Sequence, residues 1–564
     1  MTTADWTVLT IYLLGIVAFG LWVGRGNRRI DDFFLAGRQM RWWAVGLSVM
    51  ATQISAITFV GTTGQAYGDG MRFLVVYFGL PFAMVILCVT LVPFFYRARV
   101  FTAYEYLERR FDARTRTLTS LLFLLSRGLS VGVTLYAPSL VLSVILGWSE
   151  QATILLMGGS TVAYVIYGGN RSVIWTDVVQ MGIIWLGIFL CLGVAVAQLP
   201  RGFGFRDALA LADATGRLTV MDPSPSLTQP YTLWGGLVGG LFLMLSYFGC
   251  DQSQVQRYLS GSSLTQSRLS LLFNAFLKVP MQFVILLTGV LVFVFYHFHE
   301  TPLLWNSVEL ARLEREAPAG ELRELKERFR LAHEARREAA HAFAGSRDQA
   351  DTERYLAAQR GLEAARAEAV SLVERTRPGK TYNDTNYIFP WYIVSTLRGG
   401  LAGLVIAVIF AAAMSSLSGE FNSLATATMV DFYKRYVRPD GGDAHELFVS
   451  RVLTAGWGLF ACVIALEAGR LGSAIEVVNR FGSYFYGSIL GVFGLAVLTP
   501  RASSLGAFLG LFTGMLAVAL VSRLTAIHFL WYNVVGALTV FAAGLLVTAA
   551  MSRWARPAPG GGGP

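Results

Sequence analysis

The sequence is short of almost everything a soluble enzyme needs. Only 15% of its 564 residues are charged and 54% are hydrophobic, whereas a soluble chain carries nearer a quarter charged residues. The four cysteines, Cys88, Cys191, Cys250 and Cys462, are scattered singly through apolar stretches, which excludes a disulfide framework and a thiolate metal site. The six histidines are as sparse; "HFHE" (297–300) lies at the end of an apolar run without a partner cluster and reads as interfacial. No glycine-rich phosphate loop follows a strand, and no Ser, His and Asp converge. Neither an enzyme nor an organic cofactor is expected.

What the sequence has in abundance is apolar stretches of bilayer-crossing length, on the order of 20 residues each. About thirteen recur: 6–24, 41–66, 73–96, 119–146, 151–168, 173–199, 232–255, 271–297, 389–430, 449–469, 474–498, 503–523 and 527–552. The expected fold class is an all-α polytopic membrane protein. The net charge of +10 does not call for nucleic acid, because the basic residues gather in short loops such as "GRGNRR" (24–29), "YRARVFTAYEYLERRFDARTR" (96–116) and "DFYKRYVR" (431–438). That is the bias that holds loops on the cytoplasmic side. "MTTADW" lacks a basic leader, so the first segment reads as a retained helix with its N-terminus outside. Alternation then puts 97–118, 257–270 and 431–448 all inside.

Residues 303–386 break the pattern. They are rich in Ala, Glu and Arg, with apolar residues at helical spacing, and read as a pair of solvated amphipathic helices turned near "AGSRD". Alternation puts this insertion outside, and a lid, an interaction hairpin and an insertion without a role in transport all stay open. The tail "RPAPGGGGP" reads as disordered.

Polar groups inside spanning segments are costly and therefore informative. The ionisable ones are Asp177, Lys278, Glu420 and Arg480, with Arg127 and Asp251 nearer segment ends. The second segment, "VGLSVMATQISAITFVGTTGQAYGDG" (45–70), is apolar at its flanks and polar at its centre. A helix interrupted at mid-bilayer frees backbone carbonyls, which survive there only by lining a cavity or holding an ion. The seventh, "GGLVGGLFLMLSYFGCDQSQVQRYLSG" (235–261), has the same character. The two are five segments apart, an odd number, so two blocks of five, 41–199 and 232–498, enter the membrane from opposite sides as an inverted repeat requires. Residues 1–30 and 499–553 then add one helix before the blocks and two after, and 554–564 is the tail. In "AAAMSSLSGEFNSLATATMVDFY" (411–433), Ala412, Ser415 and Ser416 share one helical face, and Ser418 follows three residues beyond Ser415. Hydroxyls facing carbonyls of a broken helix make a weakly charged oxygen cage suited to a monovalent cation, since divalent ions draw more carboxylates.

These segments resemble the sodium/solute symporters, which use the inverted-repeat fold of the amino-acid transporter LeuT. The resemblance rests on "DDFFLAGRQMRWWAVGLSVMATQISAITFVGT" (31–62), "TAYEYLERRFDARTR" (102–116), "YGGNRSVIWTDVVQ" (167–180), "DQSQVQRYLSG" (251–261), "FLKVPMQFVILLTGVLVF" (276–293) and the serine-rich stretch. It implies a LeuT-like core of five plus five helices with discontinuous members. It also implies a sodium ion held by the carbonyls of Ala51, Ile54 and Ala412 and the hydroxyls of Ser415 and Ser416. A second sodium, present in some members, would take Asp177 and Ser418, although Gly419 stands where those members place another hydroxyl. Sugar transporters of the family use a gate tyrosine, matched by Tyr247, and a lysine, matched by Lys278, with Gln53 and Asn479 facing the same cavity. Their sugar-binding glutamate is replaced here by Tyr77.

The resemblance implies sodium-coupled uptake of a small-molecule substrate by alternating access, in a multi-pass protein of the plasma membrane with its C-terminus cytoplasmic, the inner membrane in a bacterium. The wording of "SVMATQISA", "YEYLERRF" and "LYAPSLVL" is closer to the iodide, vitamin and monocarboxylate branch, which favours a small organic acid with Lys278 as counter-charge. A sodium–sugar symporter, a proton-coupled symporter working through Asp177, and a membrane sensor with a transporter-like domain are the alternatives. The partners expected are the substrate and the lipid bilayer.

Overall fold

In a computed structural model the structure describes residues 1–377, 382–471 and 474–554, with side chains left aside at 469–481, 483, 553 and 554. The chain is 83% helical, with no strand among the described residues. Nine of the described helices are long and apolar enough to cross a membrane, and two shorter apolar helices, Gly235–Cys250 and Tyr484–Leu498, accompany them.

The helix Glu150–Ala197 runs for 48 residues. Straight, it would be about 72 Å long, more than twice the hydrocarbon thickness of about 30 Å. It is interrupted at Gly169, whose φ of 52° and ψ of −149° are not helical, and a Cβ there would collide with the Phe33 carbonyl. Contacts with Thr3–Val23 show that the interruption is a reversal. Trp148 stacks on Trp6 with ring centroids 5.4 Å apart, Ser172 Oγ donates to the Gly20 carbonyl at 2.6 Å, and Gln180 Nε2 then donates to Tyr12 Oη at 3.3 Å. The chain descends along the first helix, turns at Gly169 and climbs back, giving the two crossings expected at 151–168 and 173–199.

Two helices are broken by design of their sequence. The first comprises Trp42–Gln53 and Ala56–Asp69, separated at Ile54 (φ −96°, ψ 88°), with Ser55 capping the second half by accepting from the Thr58 N–H at 3.2 Å. The second comprises Gly240–Cys250 and Gln252–Leu259, separated at Asp251 (φ −81°, ψ 122°), which accepts from the Ser253 N–H at 2.8 Å. They run in opposite senses. The first begins where the second ends, since the Met40 N–H donates to the Ser260 carbonyl at 3.0 Å. Beyond its far end, the carbonyls of Val75 and Val76 lie so close to Gly236 and Gly240 that a Cβ on either glycine would meet them.

The basic loops share one end of the bundle, where Arg116 binds Asp431 at 2.6 Å and Glu108 at 2.8 Å. The 35-residue helix Leu264–Phe298 starts at that end, beside Ser260, and carries the chain to the insertion at the other. The insertion contains the expected pair, Ala319–Ser346 and Gln349–Thr376, turned at Arg347 within "AGSRD" (φ 53°). It also has a short helix at Ser307–Glu316 and its own small apolar core around Leu325, Phe329, Leu372 and Val373. The pair is less solvated than expected: Arg336 and Tyr355 are fully buried, and Tyr355 Oη meets His297 Nε2 at 2.8 Å. The run 389–430 is not one helix either. Gly399 and Gly400 take φ of 66° and 92° and separate Thr385–Thr396 from Leu401–Ala427. A further helix, Phe205–Ala214, lies in a stretch where no helix is expected.

Candidate functional site

The break at Ile54 does what a mid-membrane interruption must: it leaves carbonyls without helical partners, and another helix supplies donors. Ser415 Oγ lies 3.2 Å from the Ala51 carbonyl and 3.1 Å from that of Ala412. Ser416 Oγ lies 3.2 Å from the Thr52 carbonyl and 3.2 Å from that of Ala412. Ala51, Ile54, Ala412, Ser415 and Ser416 are all buried. Four of the five expected ligands thus meet around one point. At the fifth place, Ile54 is in the break with its N–H on the Ala51 carbonyl at 3.0 Å, and Ser416 reaches the carbonyl of Thr52 instead. Thr52 lies in the polar centre of 45–70, but its carbonyl is not among those the resemblance implies, since which carbonyl the break turns toward the serine helix depends on the local backbone geometry. The donor set is neutral oxygen throughout, which fits a weakly held monovalent cation. Among the described residues no cluster of His, Cys, Asp or Glu suits a metal of higher charge.

Asp177 is brought to the same serine helix, Leu401–Ala427, but it is already paired. Its Oδ2 accepts from Arg257 Nη1 at 2.6 Å and from Ser48 Oγ at 2.6 Å, and all three side chains are fully buried. A Cβ on Gly419 would collide with Arg257 Nη2, so the missing hydroxyl at 419 is replaced in space by the guanidinium. Ser418 Oγ donates to the Ser415 carbonyl at 3.0 Å, within its own helix. Arg257 is legible in "DQSQVQRYLSG", yet nothing in the sequence says which carboxylate it meets 80 residues earlier.

Glu420, which has no role in the sequence patterns, anchors a second network. Arg127 Nη1 donates to Glu420 Oε1 at 3.0 Å and the same guanidinium binds Asp251, while Tyr486 Oη donates to Asp251 Oδ2 at 3.1 Å. The guanidinium also lies over the Tyr247 ring, 5.6 Å from its centroid. The break of the second interrupted helix is thereby bolted to the serine helix by charge.

The expected substrate residues gather between the two broken helices and Leu264–Phe298. Lys278 is fully buried, its Nζ has no hydrogen-bond partner among the described residues, and it lies 5.3 Å from the centroid of the Tyr77 ring. Gln53 Nε2 reaches Met244 Sδ at 3.6 Å, and its Oε1 has no partner among the described residues. Tyr247 Oη accepts from Gln254 Nε2 at 2.9 Å. The side chain of Asn479 lies outside the described residues. Two further residues of Leu264–Phe298 carry buried polar atoms without a hydrogen-bond partner among the described residues: both amide atoms of Asn274, and Oε1 of Gln282, whose Nε2 donates to Thr62 Oγ1 at 3.2 Å. Asn274, Lys278 and Gln282 follow at i, i+4 and i+8 and share one helical face. That spacing is visible in "NAFLKVPMQ" once one looks for a polar stripe rather than a lone charge.

A helical membrane bundle with two antiparallel broken helices, an oxygen cage at one break and unsatisfied polar groups between them is the architecture of a secondary transporter. Comparison with known proteins agrees. The model of the "Sodium:solute symporter family" matches residues 33–303 and 360–514, and the chain belongs to that family. The sodium/glucose cotransporter of Vibrio parahaemolyticus is 29% identical over 90% of this chain and 82% of its own length. The sodium/sialic acid symporter NanT of Aliivibrio fischeri is 26% identical over 96% and 92%. The human sodium/iodide cotransporter reaches 35% over 52% of this chain and 45% of its own. The solved structure of a Na+-coupled sialic acid symporter, substrate-bound and outward-open, superposes with a TM-score of 0.77 at 24% identity, covering 97% of this chain and 98% of that one. The fold is therefore the LeuT-like fold of that symporter.

Proposed function

We propose that this chain is a symporter that carries one sodium ion with a small organic anion into the cell. The observation that carries the reading is the convergence of the Ala51, Thr52 and Ala412 carbonyls on the Ser415 and Ser416 hydroxyls. Sodium takes the place of the two hydroxyl protons as the link between the first broken helix and the serine helix. That link favours the conformation in which the substrate groups face outward. Coupling is reciprocal, so sodium raises substrate affinity and substrate raises sodium affinity by the same factor, typically worth about 1–3 kcal/mol. One sodium ion moving with one singly charged anion transfers no net charge, so the inward sodium gradient drives this stoichiometry, and the roughly 2.3 kcal/mol per charge per 100 mV of membrane potential enters only where net charge moves.

Lys278 supports an anionic substrate: a buried ammonium without a carboxylate partner is costly unless a ligand supplies one. Asn274, Gln282 and Gln53 offer the hydrogen bonds that would orient it, and Tyr77 closes one side. Arg257 supports a single sodium, because its guanidinium already neutralises Asp177 where a second ion would bind. The basic end of the bundle is cytoplasmic in this reading, with the N-terminus and the insertion outside. A thermal-shift screen of monocarboxylates, sugars, amino acids and vitamins, each in sodium and in potassium, tests the substrate class. Stabilisation by a carboxylate in sodium alone is expected; stabilisation by a sugar alone would replace the anion reading.

A further inference from the structure

The insertion and the outer half of the first broken helix enclose a cavity of about 220 Å³. Three guanidiniums line it. Arg217 Nε donates to the Tyr67 carbonyl at 2.9 Å and its guanidinium lies 3.6 Å from the centroid of the Phe293 ring. Arg366 lies over the Trp305 ring at 4.8 Å and binds Asp384 at 3.1 Å. Arg336 comes from the insertion and is 1% exposed. Its Nη1 meets the Gln359 amide oxygen at 3.4 Å and its Nη2 the Tyr296 carbonyl, both neutral, and its Nε has no partner among the described residues.

The charges around the cavity do not balance. The carboxylates that line it are Glu363, 3.5 Å from Arg217, and Asp384, held by Arg366. Arg336 makes no ion pair among the described residues, so one buried positive charge is left over. Burial pushes its pKa below the ordinary value for arginine, and the nearby Arg217 charge adds to that push. The Thr301 hydroxyl, also on the cavity wall, is buried without a partner among the described residues as well. A guanidinium N–H and a hydroxyl without partners among the described residues, on two residues that line one cavity, are donors suited to an acceptor that brings negative charge. A surface groove shares Thr301 and Phe329 with the cavity; Lys326, Arg330 and Arg337 edge it together with Glu300 and Glu334, and Lys326 and Arg330 are themselves paired with Glu314 and with Glu327 and Glu334.

We propose that this cavity is a second ligand site, a receiving site for a small organic carboxylate at the insertion end of the bundle, with Arg336 and Thr301 as its recognition groups. The planar fork of Arg336 suits a carboxylate, and the apolar faces of Trp305 and Phe293 suit a short carbon chain. The family model leaves out residues 304–359, so Arg336 belongs to a part of this chain that the family pattern does not describe. The proposal rests on the anion reading above for its biological sense, and on the cavity alone for its chemistry.

Trp305 makes the site measurable. Purified protein in potassium, without sodium, is titrated with propionate against equal concentrations of chloride while tryptophan fluorescence is followed. A saturating change is expected with propionate only, absent in Trp305→Phe. Arg336→Gln should weaken it at least tenfold, Thr301→Val several-fold, and Ser415→Ala with Ser416→Ala should leave it unchanged. Should Arg336→Gln fail to fold, Thr301→Val still decides. Absence of a saturable response in the unaltered protein, an equal response to chloride, or unaltered affinity in both Arg336→Gln and Thr301→Val overturns the site. Saturable propionate binding without any sodium-coupled carboxylate uptake would remove the transport reading and leave the site standing.

Discussion

The two broken helices meet the same partner in different ways. At Ile54 the first is tied to the serine helix by neutral hydroxyls, Ser415 and Ser416. At Asp251 the second is tied to the same helix, about one turn further on, by Arg127 and Glu420. A hydroxyl–carbonyl contact is worth about 0.5–1.5 kcal/mol net, so the first tie is easily exchanged for a cation. A buried ion pair that loses one partner costs about 3–5 kcal/mol, so the second holds until something breaks it deliberately. The molecule places a replaceable joint at one break and a charged bolt at the other, beside the Tyr247 ring.

The comparison can be broken at the bolt first. Arg127→Met leaves Asp251 and Glu420 buried without their cation, and a loss of about 3–5 kcal/mol in stability is expected from thermal melts in detergent; an unaltered melt would show the network to be ornamental. Next comes the joint: Ser415→Ala with Ser416→Ala should cost at most about 3 kcal/mol, two net hydrogen bonds, yet remove sodium stimulation of uptake altogether. Gly419→Ser sharpens the contrast between them. Its side chain meets the Arg257 guanidinium, and overpacking of this kind costs about 1–3 kcal/mol. Ser418→Ala should do least, within about 1 kcal/mol, since its hydroxyl donates to the Ser415 carbonyl of its own helix; a large effect on sodium dependence would return Ser418 to the ion site.

Much of this was legible in the chain. The polar centre of 45–70 marked the first break, and the serine spacing at 415–416 marked its partner, because both are local patterns. The Gly399–Gly400 interruption was not, since a long apolar run hides a turn that two positive φ values make. Nor was the Arg257–Asp177 pair, or the Arg127–Asp251–Glu420 network. Each depends on which distant segments the fold brings together, and charge alone does not name its partner. The absent hydroxyl at 419 was visible as a departure; only the packing shows that a guanidinium fills its place. The insertion reads as helical from its periodicity, while the burial of Arg336 follows from docking onto Tyr296, which no periodicity encodes.

In the proposed cycle one sodium ion joins the first broken helix to the serine helix while Arg257 holds the place of a second. Equilibrium binding of radioactive sodium to the purified protein tests it most directly. One ion per chain is expected, lost in Ser415→Ala with Ser416→Ala and retained in Asp177→Asn. Two ions per chain, or binding that survives the double serine variant, would contradict it.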